Sequence, residues 1–537
     1  MHTIELTIVL LILTGLGGAL VRWARMGLPI FLVVIGAAAS LLPGLDRVSI
    51  DPQLFLLLFI PPLLFADARV LPRRDLLQVL RPVLLLALGL VVLTVVVVGY
   101  TLHWLVPSMP LAVAFTLGAI VTPTDAVATV ATTAGLPLPN RVSHIINAES
   151  LLNDATGLVA FKLAVAAAAA AAGFSTTDVA VNFLLMSGGG VCAGYVIQWL
   201  GRQLRQRLVD IGVDDPVLQT LLTVLIPYAA YLAAEALQVS GILAVVIAGL
   251  WTGGKEVRGL SAESRRHARE VWRMISYVFN GLVFVLLGLQ LRHMLAAVGH
   301  YDAAWLAGLA FGVWALLMAL RLSWVWLSAH VRFRLQWGWA GARSGPDGRR
   351  MFLVGWAAVR GSVTLATALS VPLLTTAGLP FPQRDLVVFL AAATIVLTLA
   401  LNGIPLPWLI RKLQPPADDE DAREESAARV ALARAGIAAV QSVLAQRADD
   451  QGRDFAEQLI HRYEGKITLR EGDAAAAAVK AEHISGARQL RLAGIQAERD
   501  CLHRLHAQTV INDETLRLLE EELDEREMLS SADALRG

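Results

Sequence analysis

The feature that most constrains this chain is a series of long apolar segments. There are thirteen, each of 15–31 residues, and a helix that crosses a bilayer needs ~20 mainly apolar residues. They lie at 3–21, 28–44, 53–68, 82–106, 110–132, 142–172, 179–200, 216–236, 239–253, 272–291, 303–330, 351–375 and 385–410. Hydrophobic residues make up 56% of the chain and charged residues 17%, whereas soluble domains average about 45–50% and about 25%. The sequence therefore predicts an all-α polytopic membrane protein.

The distribution of charge divides the chain into two regions. Residues 1–414 carry 29 basic and 19 acidic side chains, while residues 415–537 carry 16 and 25. Beyond Pro415 and Pro416 the composition changes to Glu, Arg, Ala and Leu, with helical patterns at 424–448, 453–470 and 479–529. We predict a membrane domain over 1–414 and a helical cytoplasmic tail, with an accessory or regulatory role, over 415–537.

The loops between the apolar segments predict how the chain crosses the membrane. If successive loops lie on opposite sides of the membrane, 23 basic residues fall on one side and three on the other. Because basic residues accumulate in cytoplasmic loops, we expect the N-terminus outside and the tail in the cytoplasm. No small-residue cleavage site follows a basic start, so we interpret the first segment as a retained helix and not as a signal peptide.

Seven ionisable side chains stand out at membrane depth. They are Asp125, Glu149, Asp154, Lys162, Glu235, Arg321 and Arg360. Such groups are costly in a bilayer, and where they occur they usually mark an ion or proton path. Three of the four acidic ones lie within Phe115–Gly157, and we therefore place the functional site there.

Two of the apolar segments are interrupted by residues that break helices. The fifth contains Thr122-Pro123-Thr124-Asp125, and the twelfth contains Arg360-Gly361-Ser362-Val363-Thr364. These segments run in opposite directions across the membrane, which is typical of inverted repeats whose broken helices meet near the midplane. Carboxylate, hydroxyl and freed carbonyl oxygens would suit an alkali cation beside Asp125 and Asp154, whereas a transition-metal site needs softer ligands.

Helix geometry separates two faces of the sixth segment. Ser150 and Asp154 are one turn apart on one face, while Glu149 points some 140° away from Asp154. A buried Glu149 needs a cation, and we expect that cation to be Arg321. Alternatives stay open for two residues: Asp125 could simply cap the second half of its broken helix, and Lys162 could reach the interface or pair with a carboxylate. Cys192 and Cys501 indicate neither a disulfide framework nor a metal site.

Six stretches of the membrane domain resemble those of a known family. They read FIPPLLFADA (59–68), TPTDAVA (122–128), AESLLNDATG (148–157), VSGILAVVIAGL (239–250), FNGLVFVLLGLQL (279–291) and AVRGSVTLATALSVP (358–372). On these stretches the chain resembles sodium/proton exchangers of the NhaP/NHE type, and in particular bacterial members with a long cytoplasmic tail. The tail itself resembles nothing as closely.

The resemblance implies a role for each site residue. It implies that Asp154, paired with Asn153, holds either the cation or a proton, with Thr124, Asp125 and Ser150 beside it. It also implies that Glu149 and Arg321 form a structural brace, and that Asn at position 153 belongs to the electroneutral branch. Some relatives have an acid where this chain has Ala66, so Asp67, like Lys162 and Arg360, is only a further candidate.

The predicted function is secondary active antiport, not enzyme catalysis. The resemblance implies a homodimer in the bacterial inner membrane that exchanges Na⁺, or alternatively Li⁺ or K⁺, for H⁺ by alternating access, in support of pH and sodium homeostasis. It implies no cofactor and no nucleic acid. The alternatives are a K⁺/H⁺ exchanger, a cation channel, and an intramembrane aspartyl protease using Asp125 and Asp154. The chain lacks the Gly-x-Gly-Asp motif of the last.

Overall fold

A computed structural model of the chain describes most of the membrane domain and parts of the tail. The described residues are 3–24, 27–42, 52–71, 73–133, 136, 140–169, 176–254, 259–337, 347–375, 378–413, 419–446, 453–471, 491–505, 508, 516, 519–520, 522–524 and 526–527. The structure divides into two compact units, Met1–Ala417 and Asp418–Gly537, whereas the composition predicts a boundary after Gln414.

The first unit contains seventeen α-helices among its described residues. They are α1 (Thr3–Ala24), α2 (Leu28–Ala39), α3 (Pro52–Val70), α4 (Arg73–Leu84), α5 (Val91–Leu105), α6 (Leu111–Ile120), α7 (Ala126–Thr133), α8 (Asn140–Ala169), α9 (Thr176–Asp210), α10 (Pro216–Ala236), α11 (Gly241–Gly254), α12 (Ala262–Ala297), α13 (Ala303–Trp337), α14 (Gly348–Trp356), α15 (Ser362–Leu369), α16 (Arg384–Thr398) and α17 (Leu406–Leu413). Wider π-helical turns, Leu85–Leu90 and Leu399–Gly403, join α4 to α5 and α16 to α17. The only β-structure in the described part is one isolated bridge between Leu374 and Pro380. The all-α prediction is confirmed.

Each of the thirteen predicted segments overlaps a single helix or consecutive helices of this series, and residues 43–44 and 170–172 of these segments lie outside the described residues. Among the described residues, eight helical stretches are long and apolar enough to cross a membrane, and four shorter apolar helices accompany them. One of the eight, Arg423–Ala445, belongs to the second unit. The cytoplasmic location of that stretch therefore stays a prediction.

The second unit is helical where it is described. Its helices α18 (Asp419–Gln446) and α19 (Arg453–Glu471) pack against each other. Residues 491–505 form a further helix, whose Ile495 and Leu502 are buried with Leu523. The rest of the predicted helix 479–529 lies mostly outside the described residues, and so do residues 43–51, 255–258 and 338–346.

Close helix packing in the first unit depends on small residues. A methyl group built on Gly288 of α12 would overlap the carbonyl oxygen of Val33 in α2, and one built on Gly36 would overlap the carbonyl oxygen of Val285. Glycine at these two positions lets the helix backbones touch, as is common between membrane helices.

The two predicted helix breaks meet inside the first unit. The break between α6 and α7 spans 121–125, and the break between α14 and α15 spans 357–361. The backbone N–H of Asp125 donates to the carbonyl of Val359 at 2.7 Å, so the two extended segments are hydrogen-bonded to each other. This crossing and the middle of α8 form the frame of the candidate site.

Candidate cation-binding site

The middle of α8 binds the first helix break through two side chains. The hydroxyl of Ser150 donates to the carbonyl of Thr124 and accepts from the backbone N–H of Ala126 at 3.2 Å. The amide of Asn153 donates to Thr124 Oγ1 at 2.9 Å and accepts from the Thr124 N–H at 3.4 Å. Breaking a helix exposes backbone groups that a membrane interior cannot solvate. Ser150 and Asn153 therefore bind groups that the break exposes.

The carboxylate of Asp125 caps two half-helices at once. Its Oδ1 accepts from the N–H of Ala128 in α7 at 2.8 Å, and its Oδ2 accepts from the N–H of Ser362 in α15 at 3.1 Å. The Ser362 hydroxyl lies 3.4 Å from the same Oδ2. Helix N-termini carry partial positive charge, so this one carboxylate faces two of them. The hydrogen bonds of Asp125 are therefore those of a helix cap, which is one of the two alternatives for this residue. Asp125 also lines the cavity described below.

Two arginines bind carbonyl groups at the opposite, C-terminal ends of the half-helices. Arg321 donates to the carbonyls of Val354 and Gly355 at the end of α14, at 3.0 and 3.1 Å. Arg360 donates to the carbonyl of Val121 just beyond α6, at 3.2 Å. Helix C-termini carry partial negative charge. The four half-helix ends therefore each face a side chain of opposite charge.

Arg321 also forms a buried ion pair with Glu149 of α8. Its two terminal nitrogens donate to the two carboxylate oxygens, with 2.7 Å between Nη2 and Oε2. The side chains are only 4% and 1% exposed. The structure thus places beside Glu149 the arginine that the sequence analysis expects as its partner. By contrast, among the described residues, Arg360 lies within ion-pair distance of no carboxylate, and it donates to carbonyls instead.

Three further polar side chains complete the crossing. The sequence analysis names Thr364 within the second break but gives it no role, and it does not single out Thr129 or Asn402. Thr129 donates to the carbonyl of Ala357 at 3.0 Å, Thr364 to that of Pro123 at 3.3 Å, and Asn402 to that of Trp356 at 3.0 Å. Asn402 lies in the π-helical turn before α17 and is completely buried. An asparagine inside an otherwise apolar segment was the available signal for it, since buried polar groups need partners.

Asp154 differs from its neighbours because part of its carboxylate is unpaired. The residue is 4% exposed, and its buried Oδ1 has no hydrogen-bond partner among the described residues. It lines a small cavity together with Asp67, Thr124, Asp125 and Ser150. Asp67 itself is exposed. A buried carboxylate oxygen facing other oxygen atoms is suited to bind a cation or a proton.

Lys162 does not reach this cavity. It forms an ion pair with Glu235 of α10, and the two side chains are 29% and 36% exposed. Of the two alternatives for Lys162, reaching the membrane interface or pairing with a carboxylate, the structure thus shows the second. Asn153, which hydrogen-bonds Thr124, also lines a second small cavity with Thr122, Arg321 and Arg360.

Comparison with known proteins gives consistent results along the chain. The family model described as sodium/hydrogen exchanger, transmembrane, matches residues 8–412. A protein of Escherichia coli K12 described as an uncharacterized Na⁺/H⁺ exchanger, YjcE, is 36% identical over 97% of this chain and 98% of its own length. A sodium, potassium, lithium and rubidium/H⁺ antiporter of Bacillus pumilus is 36% identical over 94% of this chain and 74% of its own length.

The fold has a counterpart among solved structures. The sodium proton antiporter MjNhaP1 from Methanocaldococcus jannaschii, in a structure at pH 8, matches with a TM-score of 0.60 and 17% sequence identity. The match covers 77% of this chain and 99% of that protein, and at this identity it is a similarity of fold.

Proposed function

The chain belongs to the sodium/hydrogen exchanger family, and we propose that it exchanges a monovalent cation for H⁺ at Asp154. The observation that carries this proposal is the unpaired, buried Oδ1 of Asp154 in a cavity lined by oxygen atoms. An isolated buried carboxylate is unfavourable, so Asp154 would bind either a proton or a cation at any time. Competition between the two for one carboxylate is the basis of exchange.

The neighbouring residues have distinct roles in this proposal. Thr124 and Ser150 line the cavity and contribute hard oxygen ligands of the kind that alkali cations prefer. Asn153 holds the Thr124 hydroxyl in position. Asp125, whose two oxygens accept hydrogen bonds from two helix ends, adds a fixed negative charge at short range. Asp67, exposed and lining the same cavity, is the carboxylate that a cation meets first.

Movement of the site between the two membrane faces follows from the cost of charge. A bare carboxylate at this depth is expensive to move, whereas one neutralised by Na⁺ or H⁺ is not. The helices around the crossing, with Na⁺ or H⁺ bound at Asp154, would then expose Asp154 to either membrane face in turn, by alternating access. Asn153 beside Asp154 carries no charge, and the cycle is therefore one cation for one proton and electroneutral.

Assembly and location extend the same proposal. We place the protein in a bacterial inner membrane, with its N-terminus outside, its tail in the cytoplasm, and a second copy as partner. The long apolar helices among the described residues support a membrane location. Sodium and pH homeostasis would be the physiological role, with Li⁺ and K⁺ as further substrates, because the Bacillus pumilus relative is described as carrying sodium, potassium, lithium and rubidium.

The test of this function is exchange by the purified protein in proteoliposomes. An imposed pH gradient should dissipate when Na⁺, and then Li⁺ or K⁺, is added outside. Asp154→Asn should abolish this response, since an amide matches the carboxylate in shape but cannot take up a proton at neutral pH. A potential-sensitive dye in the same vesicles should report no voltage during exchange if one charge crosses in each direction.

The control is a carboxylate of the same type away from the site. Asp385, in the first turn of α16, has a side chain that is 59% exposed, and Asp385→Asn should leave exchange unchanged. Exchange well above background in folded Asp154→Asn would refute the assignment of Asp154. Passage of Na⁺ that is not coupled to H⁺ would favour a channel instead.

A further inference from the structure

An ion pair outside the cation site connects α8, the helix that carries Asp154, to α10. Lys162 of α8 and Glu235 at the end of α10 are in direct contact, and both side chains are about one-third exposed. Lys162 lies eight residues after Asp154 on the same helix, which places it ~12 Å further along the axis. The pair is thus separate from the cavity but lies on the helix that carries its central carboxylate.

The helix α11 shows that this pair and Asp67 lie toward opposite membrane faces. At the start of α11, a methyl group built on Gly241 would come within 2.9 Å of Glu235 Oε1. At its end, one built on Gly253 would overlap the carbonyl of Arg69, two residues after Asp67. Twelve residues of helix span ~18 Å, more than half of a bilayer core of ~30 Å.

The two faces differ in the charged groups that lie there. On the face of Asp67, the exposed carboxylate lines the cavity. On the face of Glu235, a lysine ammonium is held against a carboxylate between α8 and α10. An ion pair that is about one-third exposed contributes little net stability, so it can form and break within a transport cycle.

We propose that Lys162 and Glu235 form a gate, closed in this structure, on the membrane face opposite Asp67. The inference rests on alternating access at Asp154. For the site to open toward the face of Glu235, α8 has to separate from α10, and Lys162 leaves Glu235. Glu235 then offers a free carboxylate to the arriving cation, beside the turn of α8 that lies ~12 Å along the helix axis from Asp154. On closure, Lys162 replaces that cation.

A reversible covalent link across the gate tests this proposal. The starting protein carries Cys192→Ser and Cys501→Ser, which removes both native thiols. Lys162→Cys and Glu235→Cys are then joined by a short bifunctional methanethiosulfonate, because a direct disulfide needs Cα atoms within about 7 Å and two long side chains fill the space here. Linking should lower Na⁺/H⁺ exchange at least about tenfold, and reductive release should restore it, since a closed gate blocks one half of the cycle.

The controls separate gating from loss of charge and from failure of the transport function. Each single-cysteine protein treated with the same reagent should keep its own untreated rate, because nothing is bridged. Unchanged exchange in the fully linked double variant would overturn the gate, and so would an equal loss in the single variants. Neither result affects the proposed function, whereas absence of exchange in the reduced parent protein would count against that function and not against the gate.

A charge reversal gives a second test that needs no cysteine. Lys162→Glu places two carboxylates at the gate, and their repulsion disfavours the closed state, so exchange should fall severalfold. Adding Glu235→Lys restores opposite charges and should bring the rate back to within about threefold of the parent, as pairs in direct contact couple. Equal rates in the single and the double variant would contradict the gate.

Discussion

The buried pair of Glu149 and Arg321 gives the most quantitative prediction. Each side chain is at most 4% exposed, so removing one partner leaves the other charged group buried and unpaired. Breaking a buried ion pair in this way costs ~3–5 kcal/mol. Glu149→Gln and Arg321→Met should therefore each lower stability strongly, although neither residue has to touch the transported cation.

The hydrogen bonds of Arg321 make the two losses unequal. Arg321→Met also removes the donors to the carbonyls of Val354 and Gly355, and each buried polar group left unsatisfied costs ~1–3 kcal/mol. Arg321→Met should consequently be the more damaging of the two changes. The double variant removes both charges, and it should be more stable than Arg321→Met alone while remaining below the parent.

A double-mutant cycle on melting temperature measures this coupling. We expect the interaction free energy to exceed the ~3–5 kcal/mol lost in Glu149→Gln alone by ~2 kcal/mol, because in the Arg321→Met background the change at Glu149 removes a buried unpaired charge. At ~2 °C per kcal/mol for a large domain, the double variant should then melt about 4 °C above Arg321→Met. Tryptophan fluorescence in detergent supplies the readout, and flux assays on the same proteins report cation affinity.

An exposed pair of the same chemistry is the matched control. Arg266 and Glu270, one helical turn apart in α12, are in contact at 2.9 Å but 52% and 55% exposed. Their coupling should be no more than ~0.5 kcal/mol. Additive losses at Glu149 and Arg321 would refute the brace. A changed cation affinity in Glu149→Gln at an unchanged melting temperature would make Glu149 a ligand instead.

Two further predictions concern the crossing and the tail. Gly361→Ala should abolish exchange and lower the melting temperature, since its methyl group would overlap the Asp125 carboxylate and overpacking of this kind costs ~1–3 kcal/mol. Gly348→Ala, where the methyl group meets nothing within 4 Å, is the control. Wild-type flux in Gly361→Ala would contradict the role of Asp125 as a helix cap at the crossing. A chain ending at Ala417 should retain exchange in proteoliposomes, because the described site lies wholly in the first unit; normal insertion without any exchange would mean that the tail is required for transport.

The sequence was sufficient for features that depend on local pattern. Apolar length located all thirteen segments, and Pro123 and Gly361 within apolar stretches marked the two breaks. The partner of Glu149 could be predicted because few buried cations were available and helix geometry fixed the face. These inferences needed only the period of the helix and the cost of charge in a membrane.

Contacts between distant segments could not be predicted in the same way. The bonds from Asp125 to Ser362 and from Thr129 to Ala357 join residues 237 and 228 positions apart. Whether a threonine in an apolar helix binds its own backbone or a distant carbonyl depends on packing that sequence periodicity does not contain. The pairing of Lys162 with Glu235 was likewise left open, because either residue could have reached the membrane surface.

The charges at the crossing constrain which carboxylate can carry the proton. Asp125 faces the N-termini of α7 and α15 through three hydrogen-bond donors, and protonating it would remove a charge that two helix ends stabilise, each by ~0.3–1 kcal/mol or more. Asp154 has an oxygen without such a donor among the described residues, so neutralising it breaks no cap. In the exchange that we propose, a proton or a monovalent cation on Asp154 leaves the same net charge in the part of the protein that moves, and Asp125, Arg321 and Arg360 keep their charges in both half-cycles. The exchange we propose is electroneutral for this reason: one carboxylate changes its occupant, and the charges around it remain in place.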